Sequence, residues 1–374
     1  MRIGIVCFAA IGGSSTVAAS LASRLVSAGD FVVVLAPALP PRLRRESGVV
    51  FRAVPEAGHP LRPGSAEEIR RLAEALAQAV ADDRLDLLHA HYAHPHAVAA
   101  VAARERLPAA RRPTVVTTLH GSDVTECPSV AAALRGSDGV SAVSAFLADA
   151  AAAVYGIPRP VVIDNFLDDD SLRRVRGRAR RCGFEEERVL LHVSTLRPVK
   201  RAVDCIGILA RVRRQLPCRL LVVGDGPDAA AMRAEATRVG LADAVHLVGA
   251  TADVGAYLDQ ADLLLCPSAS ESFGMAALEA MAAGVPVVGS RVGGLTEVVA
   301  EDICGRLLPV GDLDGMAEAA CQILLQPDLA AAYAEAGQRI ARTRFSPDNA
   351  IAAYRGLYAA TRAGRGTQPL KGAT

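Results

Sequence analysis

An alternation runs along nearly the whole chain: short Val/Ile/Leu runs separated by longer, Ala-rich amphipathic stretches. Strands that are apolar on both faces cannot leave one face in water, so such runs predict parallel strands covered by crossover helices. In the first half the candidate strands are Ile3–Phe8, Phe31–Ala36, Leu85–His89, Thr114–Leu119, Gly139–Val143 and Pro160–Ile163. In the second half they are Val189–Val193, Arg219–Val223, Ala244–Leu247, Asp262–Cys266, Pro286–Gly289 and Arg306–Leu308. Two such sets within 374 residues predict an α/β chain of two doubly wound, Rossmann-like domains with parallel sheets.

The expected division is 1–166 for the first domain, 167–187 for a linker and 188–346 for the second domain. A helix over 347–363 would cross back to the first domain, and 364–374 would be a disordered tail. The linker assignment rests on Asp168-Asp169-Asp170 and the arginine run from Arg173 to Arg181, charges that suit a solvated segment.

A net charge of +1 argues against a broad nucleic-acid footprint. No segment has the length and apolarity to span a membrane, and the eight cysteines lack CxxC pairs. Cys7, Cys205 and Cys266 lie in apolar runs, so they read as small buried hydrophobes of a cytoplasmic protein. Cations are almost all arginine. Lys200 and Lys371 are the two lysines, which singles out Lys200 as a position that needs a compact ammonium.

Four motifs carry chemistry. The first is Glu271-Ser-Phe-Gly-Met-Ala-Ala-Leu-Glu279, leading into a helix. Its loop would present the amides of Phe273, Gly274 and Met275 at a helix N-terminus, suited to hydroxyl or phosphate oxygens. Glu279 falls in an otherwise apolar helix, where a charge needs a partner. The second is Ser194-Thr-Leu-Arg-Pro-Val-Lys200-Arg201, whose Arg197 and Lys200 can neutralise a leaving diphosphate. The third is the turn Gly12-Gly13-Ser14-Ser15 after the first strand, where amides can approach a diphosphate. The fourth is His120-Gly121 at the carboxyl end of a strand.

The spacing Glu271 to Glu279, with these companions, resembles the retaining glycosyltransferases of the E-x7-E group (family 4 type). The resemblance covers Met1 to about Tyr358. It implies the GT-B fold, two facing Rossmann-like domains with a deep interdomain cleft. Glu271 would then contact the transferred sugar and Glu279 the ribose hydroxyls. Arg197, Lys200 and the Gly13 amide would stabilise the leaving diphosphate, with His120 beside the sugar. Gly12, Gly226 and Val254 complete the implied donor set. The donor would be UDP- or GDP-linked, and neither a cofactor nor a metal is implied. The arginine that the family commonly has at position 195 is a threonine here, with Arg197 as substitute.

Cys7 to Ser15, Pro40-Pro-Arg42-Leu43, His89-Ala-His-Tyr92-Ala-His-Pro-His96, Thr117-Thr-Leu-His-Gly-Ser-Asp123 and Asn165-Phe166 are closest to one branch, the N-acetylglucosaminyl L-malate synthases of bacillithiol synthesis. That likeness implies a small polar, carboxylate-bearing acceptor lined by Ser14, Arg42, Tyr92 and Thr118. The branch has an arginine where Gly139 stands, a cation that a dicarboxylate could use. The Arg/Ala-rich composition suggests an actinobacterial-type genome and leaves open a lincosamide-type S-glycosyltransferase joining a GDP-activated octose to ergothioneine. A nucleotide-sugar epimerase of the same fold is a further alternative. A nicotinamide oxidoreductase is disfavoured, because G-x-G-x-x-G is absent and Leu35-Ala36-Pro37 offers no acidic residue for a ribose. The histidines from His89 to His96 could suggest a metal, but no cysteine or carboxylate completes a set. Partners reduce to a nucleotide sugar and a small acceptor, with a homodimer as the assembly to test.

Overall fold

The computed structural model describes residues 1–9, 12–44, 47–59, 62–125, 130–168, 187–251 and 253–365. The chain forms two compact units: Met1–Phe166 together with the residues from Pro347 onward, and Leu167–Ser346. Asp169, Asp170 and the arginine run lie outside the described residues, as does the tail from 366.

In the first unit, β1 (Arg2–Val6), β2 (Phe31–Ala36) and β3 (Val50–Ala53) are followed by a two-stranded ribbon, β4 (Gly58–His59) and β5 (Arg62–Pro63). β6 (Leu87–His91), β7 (Thr114–Leu119), β8 (Gly139–Ala142) and β9 (Val161–Val162) complete it. The main sheet has the order β3-β2-β1-β6-β7-β8-β9. Its strand pairs are parallel, with Ile3 opposite Val32 on one side and Leu87 on the other. Ile3, Ile5, Val33, Leu35, Leu87, Leu88 and Val116 are sealed from solvent.

The second unit holds β10 (Arg188–Val193), β11 (Cys218–Val223), β12 (Val245–Gly249), β13 (Leu263–Cys266), β14 (Val287–Ser290) and β15 (Gly305–Leu308). Their order is β12-β11-β10-β13-β14-β15, again parallel. Leu190, Leu220, Val222, Leu263 and Leu265 join Ile206, Leu209, Met316 and Ile323 in one core.

Each order reverses at the first strand, β1/β6 in one unit and β10/β13 in the other. Ligands of open parallel sheets bind outside the carboxyl ends of the strands at such a switch point.

Several elements differ from the sequence reading. β6 ends at His91, not His89, because buried imidazoles are hydrogen-bonded inside the sheet. β3 was absent from the reading; its four residues are exposed or half-buried and lack an apolar run. The last helix runs Pro347–Arg365, so Gly364 and Arg365 are helical and not part of a tail. Cys7, Cys205 and Cys266 are buried free thiols, and burial pushes Cys7 and Cys266 up to about 12.

Candidate functional site

In the second unit two loops meet at the switch point. The loop after β10 carries Ser194–Leu196 and enters a single turn, Pro198–Lys200. The loop after β13 carries Ser268 to Gly274 and enters the helix Met275–Ala282. The Ala269 amide donates to the Val199 carbonyl at 2.8 Å, tying one loop to the other. Lys200 Nζ then lies 2.7 Å from Glu271 Oε1, and Ser268 Oγ donates to the same oxygen at 2.9 Å. Both charged side chains are largely covered, at 19% and 13% exposure, so their attraction is less screened than that of a surface pair. Among the described residues no hydrogen bond reaches Glu271 Oε2, which leaves that oxygen free to accept one from a ligand.

Glycines make these loop paths possible. Gly224 has φ 129°, and a Cβ there would come within 1.7 Å of the Ser194 carbonyl oxygen. A Cβ on Gly226 would meet the Leu196 carbonyl at 2.7 Å. The turn instead clasps the first loop, with Leu196 N donating to Asp225 O and Asp228 N to Leu196 O, both at 2.9 Å. Gly226, assigned to the donor from sequence, thus shapes the loop that carries Arg197 and Lys200. Gly294 plays the matching part beneath Glu271: its amide donates to the Glu271 carbonyl at 2.9 Å, and a Cβ would collide with the Ser272 carbonyl.

Gly274, at φ 107°, precedes the helix without a side-chain cap. Its carbonyl takes the Leu278 amide, so Met275, Ala276 and Ala277 have amides with no acceptor within the helix. Phe273 is buried edge-on against Phe345 and acts as an anchor for the loop. Glu279 is half-buried one turn into the helix. Val254 closes the short turn Gly255–Leu258, its carbonyl taking Tyr257 N and Leu258 N at 3.1 Å; Ala252 beside it lies outside the described residues.

Two residues of this site escaped the sequence reading. His192, on β10, donates through Nδ1 to the Leu265 carbonyl at 2.9 Å and meets Ser194 Oγ through Nε2 at 2.7 Å. Burial, and secondarily the nearby Lys200 charge, holds His192 down at about 4. Ser268 is the other. Neither sits in a pattern that spacing alone would single out.

In the first unit, Gly12 is extended and exposed, and the helix Gly13–Ser27 begins directly after it. Ser14 and Arg42 are half-buried, while Ser15 Oγ turns inward to the Phe8 carbonyl at 2.9 Å. After β6, Tyr92 adopts φ 89°, uncommon for a bulky residue. Its ring lies 5.2 Å edge-on from Phe8 and 5.1 Å from His120. His120 Nε2 is 2.9 Å from His91 Nδ1, and burial holds His120 at about 3. Tyr92 and His120 are therefore brought together at the carboxyl ends of β6 and β7.

Thr118 is the penultimate residue of β7 and is fully buried, its hydroxyl lying between His89 Nε2 at 2.7 Å and Ser141 Oγ at 2.8 Å. Its carbonyl takes the Tyr92 amide at 3.0 Å, so the position assigned to the acceptor from sequence lies beside Tyr92 with its hydroxyl engaged inside the sheet. Gly139 opens β8 at the amino end, and a Cβ there would strike Thr361 and Leu357 of the last helix. The His89–His96 segment contributes hydrogen bonds within the domain, and among the described residues no three of His, Cys, Asp and Glu gather as a metal cluster.

No helix among the described residues is long and apolar enough to cross a membrane. Family comparison matches residues 179–340 to "Glycosyl transferases group 1" and residues 11–171 to "Glycosyltransferase Family 4". The N-acetyl-alpha-D-glucosaminyl L-malate synthase of Bacillus anthracis is 31% identical over 370 residues, 96% of each chain. Among solved structures, Anabaena HepE in complex with UDP-glucose aligns with a TM-score of 0.76 at 22% identity, over 97% of this chain and 100% of that one. Sucrose-phosphate synthase from Thermosynechococcus elongatus aligns with a TM-score of 0.76 at 21% identity, over the same shares.

Proposed function

The chain belongs to glycosyltransferase family 4, and on that premise we propose that it is a retaining enzyme transferring a sugar from a nucleoside-diphosphate donor to a small carboxylate-bearing acceptor. The observation that carries this reading is the Lys200–Glu271 pair at the switch point of the second unit, beside a helix whose first three amides have no acceptor within the helix. An ammonium and such amides suit a diphosphate, and a carboxylate oxygen that no described residue hydrogen-bonds suits a sugar hydroxyl.

Arg197 and Lys200 neutralise the departing diphosphate. Glu271 is engaged by Lys200 and Ser268 through Oε1, so it orients the sugar through Oε2 instead of attacking it. The acceptor oxygen approaches the anomeric carbon from the face the phosphate leaves. The carbon–phosphate-oxygen bond breaks, the new glycosidic bond forms, and the acceptor's proton passes to the leaving phosphate oxygen. Tyr92, Ser14 and Arg42 of the first unit are the acceptor-side groups, and His120, 5.1 Å from the Tyr92 ring, lies beside the transferred sugar. The likeness to the Bacillus anthracis malate synthase over 96% of both chains makes an N-acetylglucosamine donor and L-malate the first pair to supply.

The test incubates the purified protein with UDP-N-acetylglucosamine and L-malate, with and without a chelator. The expected result is malate-dependent UDP release, an α-linked product by NMR, and no loss on chelation. Donor turnover without acceptor would indicate an epimerase or hydrolase, and a β-linked product would overturn retention.

A further inference from the structure

The hydrogen bonds around His192 fix which way Ser194 can use its hydroxyl. The parallel ladder between β10 and β13 pairs Leu190 with Leu263 and Leu191 with Leu264. One residue further on, the strands part at the switch point, and the His192 ring bridges them to the Leu265 carbonyl. A carbonyl oxygen only accepts, so His192 Nδ1 carries the proton. Burial keeps the ring neutral, with the fully buried imidazole held at about 4. Nε2 is then a bare lone pair, and the hydrogen of the 2.7 Å contact belongs to Ser194.

Ser194 thereby spends its one hydrogen inward. It remains half-buried, next to the loop that leads to Lys200, and what it offers a ligand is oxygen lone pairs alone. Phosphate oxygens are also lone-pair groups at neutral pH and would be repelled. A sugar hydroxyl carries the hydrogen that Ser194 lacks. His192 bridges the two strands whose following loops carry Lys200 and Glu271, so Ser194 opens the loop whose far end meets that carboxylate.

We infer that Ser194 accepts a hydrogen bond from a hydroxyl of the donor's sugar, and that His192 is the positioning residue that sets this polarity. The inference rests on the glycosyltransferase reading of the same site. It makes Ser194 a reader of the transferred sugar within a loop that otherwise serves the diphosphate.

The experiment measures calorimetric affinity for UDP and for UDP-N-acetylglucosamine in the wild type, Ser194→Ala, Ser194→Thr and the double variant His192→Phe/Ser194→Ala. Ser194→Ala should weaken the nucleotide sugar about tenfold, the scale of one hydrogen bond to a polar group, while UDP affinity stays within twofold. Ser194→Thr keeps the hydroxyl and should restore most of the preference for the sugar-bearing ligand. Adding His192→Phe to Ser194→Ala should not change that preference further, because the pair acts through one oxygen. Equal weakening of UDP and the nucleotide sugar would overturn the inference by placing Ser194 on phosphate or ribose. Unchanged affinity for both would overturn it as well. If UDP, GDP and their sugars all fail to bind the wild type, the glycosyltransferase reading of the site falls first and this inference with it.

Discussion

Both units reverse their strand order at the first strand, yet they equip that position in opposite ways. At β10/β13 the two loops hold an ion pair, with Glu271 Oε2 left available. At β1/β6 the corresponding space is filled by Tyr92, Phe8 and neutral imidazoles, of which His89, His91 and His96 are buried with His120. The same backbone architecture thus surrounds one switch point with an ion pair and the other with neutral rings. The difference shows that the switch point fixes where a ligand binds, while the residues ending each strand decide its chemistry.

The sharpest way to break this contrast is to remove the charge. Lys200→Ala deletes the ammonium and leaves Glu271 with Ser268 alone. Turnover should fall roughly a thousandfold, about 4 kcal/mol of transition-state stabilisation, with the chain still folded and its thermal midpoint lowered only by the cost of a largely covered, unpaired carboxylate. Steady-state kinetics and a melting curve on the same preparation check both halves. A loss below tenfold would mean that the pair is merely structural, and the two switch points would no longer differ in kind.

Acid should separate the units next. A free histidine titrates near 6.5. Burial is the main cause that holds His89 and His120 at about 3, His96 at about 4 and His91 well below its ordinary value, all in the first unit. The second unit has His192 held at about 4. Below pH 6.5 the unfolded chain binds protons that the folded chain refuses, so this stability is fully present above about 6.5 and is lost as pH falls toward 4. Between pH 7 and 5.5 each such group costs about 1.3 kcal/mol, so four against one should lower the stability of the first unit by about 4 kcal/mol more than the second. Hydrogen exchange on the intact chain, corrected for intrinsic rates, should show β1, β6 and β7 losing protection before β10, β11 and β13. Equal loss would show that the histidines of the first unit are not the burden their burial implies.

What the sequence disclosed follows the same division. Parallel strands covered on both faces announce themselves as uninterrupted apolar runs, which is why β1, β2 and β10 were legible. β3, whose ends are exposed, was not. The Glu271 and Lys200 motifs could each be found by spacing, but they are 71 residues apart, and only the fold shows them sharing a hydrogen bond. His192 was harder still. In sequence it is a polar interruption in Leu-Leu-His-Val, and its meaning depends on a carbonyl 73 residues away. Thr118 and Gly139 show what a likeness in sequence leaves out: which hydroxyl is already engaged within the sheet, and which end of a strand a residue occupies.

The smallest expected effect tests whether the first unit's polar network is scaffold or machinery. Tyr358, on the last helix, meets His89 Nδ1 at 2.8 Å, and the chain continues through Thr118 to Ser141. Each member is buried, so removing one hydroxyl leaves an imidazole nitrogen without its partner. Tyr358→Phe should cost about 1–2 kcal/mol in urea unfolding, because the lost bond and the desolvated nitrogen add. kcat/KM should stay within twofold, since the His89 ring separates Tyr358 from Thr118, the member whose carbonyl takes the Tyr92 amide. A tenfold fall in kcat/KM with unchanged stability would instead connect the network to the reacting groups. The contrast between an ion pair at the second unit's switch point and a neutral, hydrogen-bonded network in the first would then have to be redrawn.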